Sequence, residues 1–304
     1  MLKIHSQPAL RSPVLLCAFG GWADAATAAT GALRYLLLKR EGRRIAEFDP
    51  DLLYAYTATR PVTVQEGGGI RRLRWPELVW TVIEVPEADH DLVILVGSEP
   101  DLRWRECVEA IGSFASRLGV TTVLTFGGFL AQVHFAGPPP MMGISADAPF
   151  RAVMRELGIE ESNYQGPTGF VTAILQEAAG RGIPAASLWT AAPNYLSNTS
   201  NPKLAAALLR AAERLLQQDL WLAELEAAGR DMERRIEDAL RARPDLASFL
   251  RGLSGETESP EPSTMGNEET DAELPSAEEV LRDLEEHLRR LKGEGDSDMD
   301  EGAH

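Results

Sequence analysis

The chain lacks the features of a membrane protein or of a disulfide-stabilised secreted protein. Only two of its 304 residues are cysteines, Cys17 and Cys107, and neither has metal-ligand spacing or a neighbouring histidine. No apolar run is long enough to cross a bilayer, and the first residues lack the charged-then-apolar pattern of a signal peptide. These absences predict a cytoplasmic protein without membrane association, with both thiols buried and reduced.

Positive charge is also scarce. The formal net charge is -16, and residues 254–304 hold 17 acidic residues against 4 basic ones, which is -13 of that total. Residues 1–253 carry the remaining -3, so the acidity belongs to the tail and not to the folded body. The absence of a basic stripe argues against nucleic acid as a partner.

Catalytic signatures are missing as well. Gly20 and Gly21 have neither the G-x-G-x-x-G spacing nor the Lys-Ser/Thr pair of a phosphate-binding loop. There is no G-x-S-x-G elbow, and His134 is the only histidine between residues 91 and 286. A metal site built from Glu99, Asp101 and His134 has only weak support, because no paired histidine accompanies them. The sequence therefore assigns no catalytic residue, no cofactor and no metal.

What the chain does contain is an alternation of strand and helix patterns. Between its apolar runs lie helical periodicities, such as the apolar stripe within residues 103–118. Buried strands alternating with amphipathic helices predict an α/β fold with a mostly parallel sheet flanked by helices. The runs of strand length are 14–19, 91–97, 121–126 and 185–191.

Polar, aromatic and glycine residues follow these strands. Ligands bind at the carboxyl ends of the strands in open parallel sheets, so these loops form a candidate ligand pocket. Helix capping is the simpler interpretation of Asp24 and Asp101, and local polar contacts are the simpler interpretation of Glu99 and Arg103. The candidate pocket residues are Gly20, Gly21, Trp22, Asp24, Glu99, Asp101, Arg103, Gly127, Gly128, His134 and Asn194.

Residues 60–85 interrupt the alternation. Their β-rich runs surround a triple glycine and a Trp-Pro, a pattern that predicts a hairpin or a small antiparallel extension. Such a hairpin exposes an edge that another subunit can cover, and this makes it a candidate for oligomerisation. Folding back on its own core is an equally supported alternative.

The pattern predicts an α/β core over residues 1–200 and four further segments. Asn201 and Pro202 have the residue types of a helix N-cap and first turn, and Ser276 with Glu279 forms a capping box. The further segments are a helical region over 201–252, a disordered acidic linker over 253–274, an amphipathic tail helix over 275–292 and a disordered end over 293–304.

Several segments together resemble the PAC2 family, named after proteasome assembly chaperone 2, in its actinobacterial branch. The resemblance is collinear over about residues 10–250. The matching segments include "FGGWADAATAATGALRYLL", "FDPDLLYAYTATRP", "GSEPDLRWRECVEAI", "SNYQGPTGF", "GIPAASLWTAAPNY" and "NPKLAAALLR".

The resemblance implies a core similar in topology to purine nucleoside phosphorylases and peptidyl-tRNA hydrolases. It also implies a hairpin insertion used in homo-oligomers, trimers among them, and a C-terminal helical region that forms a lid over a ligand pocket. Shared topology with enzymes does not identify a reaction.

Two functions follow as expectations. The first is a non-enzymatic, homo-oligomeric assembly or protein-binding protein linked to the proteasome, with a protein partner held through the acidic tail and the helix over 276–291. The alternative is a small-molecule-binding protein or enzyme of phosphorylase, hydrolase or ATP-dependent carboxylate-amine ligase type, with its pocket at the strand ends under the helical lid.

Overall fold

A computed structural model describes residues 1–66, 70–197 and 199–242 of the chain. The strands are β1 Leu2–Ile4, β2 Val14–Gly20, β3 Arg43–Phe48, β4 Val62–Glu66, β5 Ile70–Arg74, β6 Leu78–Ile83, β7 Leu92–Ser98, β8 Thr122–Ala131, β9 Met141–Ser145, β10 Glu160–Glu161 and β11 Ala185–Pro193. The helices are α1 Ala28–Lys39, α2 Pro50–Leu53, α3 Trp104–Leu118, α4 Ala148–Glu156, α5 Phe170–Gly180, α6 Pro202–Leu216 and α7 Ala223–Ala242.

Nine of the strands form one sheet in the order β1-β3-β6-β7-β2-β8-β11-β9-β10. Its centre, β7-β2-β8-β11, is parallel, as the continuous apolar runs predict. On one side β6 and β3 pair antiparallel, and on the other side β9 pairs antiparallel with β11. The predicted helix-flanked parallel sheet is therefore confirmed at the centre, with antiparallel strands at its flanks.

Strand β2 shows why the core has two halves. Its side chains alternate between the two faces of the sheet, so Leu16 and Ala18 pack in the cluster that includes α1 and α6, whereas Cys17 and Phe19 pack in the cluster that includes α3 and α5. Both cysteines are buried free thiols, as predicted, and burial raises the pKa of the Cys107 thiol to about 12. The sheet is thus covered on both faces.

Two helix boundaries test the capping patterns. Asn201 accepts a hydrogen bond from the backbone N–H of Lys203 at 3.1 Å, and α6 begins at Pro202, so this cap is confirmed. The Gly- and Pro-containing segment over 163–170 predicts a turn that enters a helix at Thr168, and the helix, α5, begins two residues later, at Phe170.

The segment over 60–85 differs from its prediction. Only β4 and β5 form a hairpin, as a separate two-stranded sheet, whereas β6 is buried along its whole length within the main sheet. The polar-rich strands of the hairpin and the largely apolar strand β6 therefore lie in two different environments. Val62, Ile70 and Leu73 of the hairpin are 53%, 57% and 56% exposed, so it is not folded back on the core.

Several predictions fall on residues outside those described: the triple glycine over 67–69, the last part of the helical region over 243–252, the linker over 253–274, the helix over 275–292 and the end over 293–304. None of the helices described is both long and apolar enough to cross a membrane.

Candidate functional site

The turn after β2 lies at the sheet edge where the parallel strands end. The carbonyl of Gly20 accepts a hydrogen bond from the backbone N–H of Glu99 at 2.8 Å, which joins the loops after β2 and β7. Gly21 has a φ of +144°, and a Cβ there would lie 3.3 Å from the Cβ of Glu99. Glycine is therefore required to bring the two loops together, because a side chain would be both strained and crowded.

Glu99 holds a third loop at this edge. Its Oε1 accepts a hydrogen bond from the backbone N–H of Phe170, the first residue of α5, at 2.6 Å. A carboxylate at a helix N-terminus is stabilised by the free N–H groups and by the helix dipole. Arg103 makes a local contact, as expected, but with Glu106 at 3.4 Å. Glu99 thus caps a helix that begins 71 residues later, which corrects the local contact expected for it.

Asp24 is the cap of α1 that the sequence predicts. Its Oδ1 accepts from the backbone N–H groups of Ala29 at 2.9 Å and Thr30 at 3.0 Å, and its Oδ2 accepts from the Thr30 hydroxyl. Burial raises the pKa of the Asp24 carboxyl, against the opposing effects of these hydrogen bonds and of Arg34. The carboxylate is fully engaged by its own helix.

The backbone between Asp24 and α1 is strained. Ala26 and Thr27 have φ values of +53° and +49°, and for a β-branched residue such as Thr27 this conformation is an outlier. The N-terminus of α6 holds the segment, since the N–H of Asn201 donates to the carbonyl of Ala26 and the hydroxyl of Thr27 donates to that of Ser200. Sequence patterns do not reveal this feature, because the holding residues lie more than 170 positions away.

Gly127 and Gly128 allow two close approaches on β8. A Cβ at Gly127 would lie 2.3 Å from the ring of Trp189, and one at Gly128 would lie 2.9 Å from the carbonyl oxygen of Ala25. Asp24 and Gly128 also form an isolated parallel bridge. Gly127 therefore allows β11 to pack closely against β8, and Gly128 allows the strained turn to do the same.

Asp101 is not the cap of α3, which corrects the prediction. Its carboxylate accepts from the backbone N–H of Ala55 at 2.8 Å and from the hydroxyl of Thr59 at 3.0 Å. Helix α3 starts after Arg103, whose φ is +55° and whose side chain makes no capping bond. Asp101 instead anchors the segment that leads from α2 into the hairpin.

His134 and Asn194 follow β8 and β11, and their neighbours Phe135 and Tyr195 pack on α7. His134 is exposed and its ring lies 4.5 Å from that of Phe135, while Asn194 is exposed at the start of a short 3-10 helix. Tyr195, which the sequence does not single out, joins these loops: its hydroxyl accepts from the N–H of Phe135 and donates to the carbonyl of Val133.

The structure thus gathers part of the predicted set around one turn. The gathered residues are Gly20, Gly21, Trp22, Asp24, Glu99, Gly127 and Gly128. Their carboxylates are engaged by helix N-termini, and Trp22 is 63% exposed. Over the described ranges, no three His, Cys, Asp or Glu side chains are placed to hold a metal.

A cavity of about 620 Å³ lies elsewhere, beside β1 at the base of the hairpin. It is open to solvent and does not include any of the predicted pocket residues. Its lining combines apolar and charged side chains: Met1, Leu2, Lys3, Glu47, Phe48, Asp49, Pro50, Arg74, Trp75, Pro76 and Glu77.

The model of the PAC2 family matches residues 18–240. No curated protein matches the chain.

Several solved structures are similar. A PAC2 family protein from Streptomyces avermitilis is 34% identical over 74% of this chain and 95% of its own, with a TM-score of 0.67. A proteasome-assembly chaperone homologue from Mycobacterium tuberculosis is 35% identical over 78% of this chain and 99% of its own, with a TM-score of 0.69. An archaeal homologue of a proteasome-assembly chaperone from Pyrococcus furiosus, 15% identical over 83% of this chain and 100% of its own with a TM-score of 0.56, shares the fold.

Proposed function

The chain belongs to the PAC2 family, and we propose that it is a non-enzymatic, homo-oligomeric protein-binding protein of the proteasome-assembly chaperone type. The family includes the M. tuberculosis chaperone homologue, which covers 78% of this chain. Because this relative is a chaperone homologue, a protein-binding function is favoured over a catalytic one.

The observation that carries the proposal is the hairpin of β4 and β5. It lies outside the nine-stranded sheet, and Val62, Ile70 and Leu73 are each more than half exposed. An isolated two-stranded sheet is at most marginally stable in water, and its free edges and apolar side chains favour pairing with another chain. A second copy of this chain, presenting the same hairpin, satisfies this requirement.

Replacing two hairpin side chains tests the oligomer. Val62 and Ile70 lie on the same face of the hairpin, because Val62 pairs with Arg74, which stands an even number of residues from Ile70 on β5. We expect V62S/I70S to weaken self-association by about thirtyfold, since two half-exposed apolar side chains lose their burial in the interface. Sedimentation velocity over a concentration series measures this change.

The matched control is L38S. Leu38 is 87% exposed on α1, outside the hairpin, so this change should leave the subunit number unaltered. A wild-type protein that stays monomeric at the highest concentration, or an equal loss in L38S, contradicts a hairpin-mediated oligomer.

The proteasome link needs a separate experiment. We expect the wild-type protein to bind isolated proteasome subunits before they assemble, because an assembly chaperone must recognise surfaces that the finished particle buries. Co-sedimentation with subunits and with the assembled particle measures the difference. Equal binding to both, or to neither, argues against an assembly role.

One observation favours a second function, the binding of a small molecule at the turn after β2. Strained residues cluster at functional sites, and Ala26 and Thr27 are strained next to a carboxylate of raised pKa. A ligand that contacts this turn should quench the exposed Trp22. Screening metabolites by tryptophan fluorescence, with W22F as the control, tests it, and no Trp22-dependent change across the library counts against a ligand here.

A further inference from the structure

The hairpin carries positive charge as well as apolar side chains. Residues 60–75 contain four arginines and one glutamate, a formal net charge of +3 in a body that is slightly acidic overall. Arg71 and Arg74 are exposed on β5, and among the described residues no carboxylate lies within ion-pair distance of either. Ile70 and Arg74 lie on one face of β5, and Arg71 and Leu73 lie on the other. Each face therefore offers an unpaired guanidinium group beside an exposed apolar side chain, which suits an acidic, partly apolar peptide paired along this strand.

The cavity beside β1 extends this surface. Arg74 and Trp75 contribute to its lining, and Trp75 is 48% exposed with its ring 4.8 Å from that of Tyr56. Leu2, Phe48 and Pro76 supply apolar lining. The hairpin and this cavity are therefore continuous, with arginine at the point where they meet. The cavity lining also contains three carboxylates, those of Glu47, Asp49 and Glu77, so the cavity suits the apolar side chains of a peptide and the hairpin suits its acidic ones.

The chain itself supplies a matching peptide. Residues 254–274 contain seven acidic residues and no basic one, and residues 276–291 place Val280, Leu284, Leu288 and Leu291 at near-heptad spacing between acidic residues. The whole segment over 254–304 carries -13. Its charge is opposite to that of the hairpin, and its apolar positions can replace the water that covers the hairpin side chains.

The distances allow the contact within one chain. Ile236 and Ala239 of α7 pack with Phe135 and Tyr195, next to the ends of β8 and β11. In the sheet, β8 and β6 are three strand spacings apart, about 14 Å. A segment of 23 residues, the length of 243–265, spans about 35 Å as a continuous helix and about 76 Å when extended, so in either conformation it is long enough to reach the hairpin, which joins directly to β6.

We propose that the surface formed by β5 and the cavity at its base binds the acidic segment 254–291 of the same chain. The proposal concerns the hairpin that the proposed function uses for self-association, and bound tail and partner subunit compete for it. Opposite charge brings the segment to the surface, and its apolar residues contribute burial once it is there.

A dye on the tail tests the contact in the full-length protein. M265C introduces a labelling site, and Cys17 and Cys107 are fully buried, so they do not react in the native protein. Tryptophan quenches suitable dyes only on contact, so Trp75 reports docking. We expect quenching in the wild-type background, lost in W75F and kept in W22F. Raising the salt to about 1 M should also relieve it, because the screening length falls to about 3 Å.

Charge reversal identifies the binding surface. R71E/R74E should lower the docking equilibrium constant by about tenfold, whereas R105E/R230E, which changes the same charge on α3 and α7, should not. Absence of quenching, an equal effect of both double variants, or quenching that survives R71E/R74E overturns the proposal.

Two further measurements distinguish the tail of the same chain from the tail of a second copy, and the tail contact from the homo-oligomer. Diluting labelled protein into an excess of unlabelled protein leaves the quenching unchanged if the tail binds its own chain, and relief of quenching overturns that assignment in favour of a second copy. Sedimentation of the same samples measures the subunit number independently. The tail contact and the homo-oligomer can therefore fail separately.

Discussion

Replacing Gly97 by alanine should destabilise the protein by about 4 kcal/mol, because the added methyl group has no space. Gly97 lies in β7 opposite Leu78, and a Cβ there would lie 1.9 Å from the carbonyl oxygen of Glu77. The obstacle is backbone, which cannot rotate away as a side chain can. The N–H of Ser98 donates to that same carbonyl at 3.0 Å, so relieving the clash also breaks a hydrogen bond.

The effect of Gly97→Ala extends to the hairpin. Glu77 stands between β5 and β6, so the contact with Gly97 fixes the base of the hairpin on the main sheet. Equilibrium urea unfolding measures the loss of stability. Gly31→Ala is the matched control, since a Cβ at this position in α1 meets nothing within 4 Å and should stabilise the protein by about 0.5–1 kcal/mol. Equal stability of the two variants contradicts the assigned steric role of Gly97.

Asp24→Ala should destabilise the protein by about 3 kcal/mol at pH 7. The change removes three hydrogen bonds at the start of α1 and leaves the buried hydroxyl of Thr30 and two backbone N–H groups without their acceptor. Asp24→Asn keeps an acceptor for the N–H groups and should remain within about 1 kcal/mol of the wild type. A loss in Asp24→Asn as large as in Asp24→Ala indicates that the charge itself, and not the cap, is required.

The pH dependence of the same pair gives a second readout. Burial raises the folded-state pKa of the Asp24 carboxyl above the ordinary 3.8, so between these two values the folded state binds more protons than the unfolded state. The Asp24 contribution to stability is therefore largest below the unfolded pKa and decreases as pH rises through the folded pKa. The free energy of unfolding of the wild type relative to Asp24→Asn should fall across this interval and be constant above it. A rise with pH contradicts the direction of the shift.

Local features were predictable from the sequence because they depend on neighbouring residues. The apolar runs identified the central strands, and the Asn201 and Asp24 caps act on helices that begin within a few residues of them. The family could also be inferred, since the resemblance rests on residues in collinear order and the family model matches residues 18–240.

The candidate site depended more on long-range contacts. Asp101 has the position of a helix cap, but its carboxylate accepts hydrogen bonds from the N–H of Ala55 and the hydroxyl of Thr59 instead. Glu99 caps a helix that begins 71 residues later, at Phe170. Neither partner has a signal in the local pattern, because two segments meet there only after the sheet has formed.

By itself, the sequence determined the secondary structure of the centre, the buried thiols, the family and the concentration of negative charge in the tail. Each of these follows from composition, periodicity or residue order. Only the tertiary structure decided that β6 is buried while β4 and β5 stand outside the sheet, and that Arg71 and Arg74 are exposed on the outside. The physical reason is that a β-rich run has the same local propensity in both places, and packing against the rest of the chain determines which run is buried.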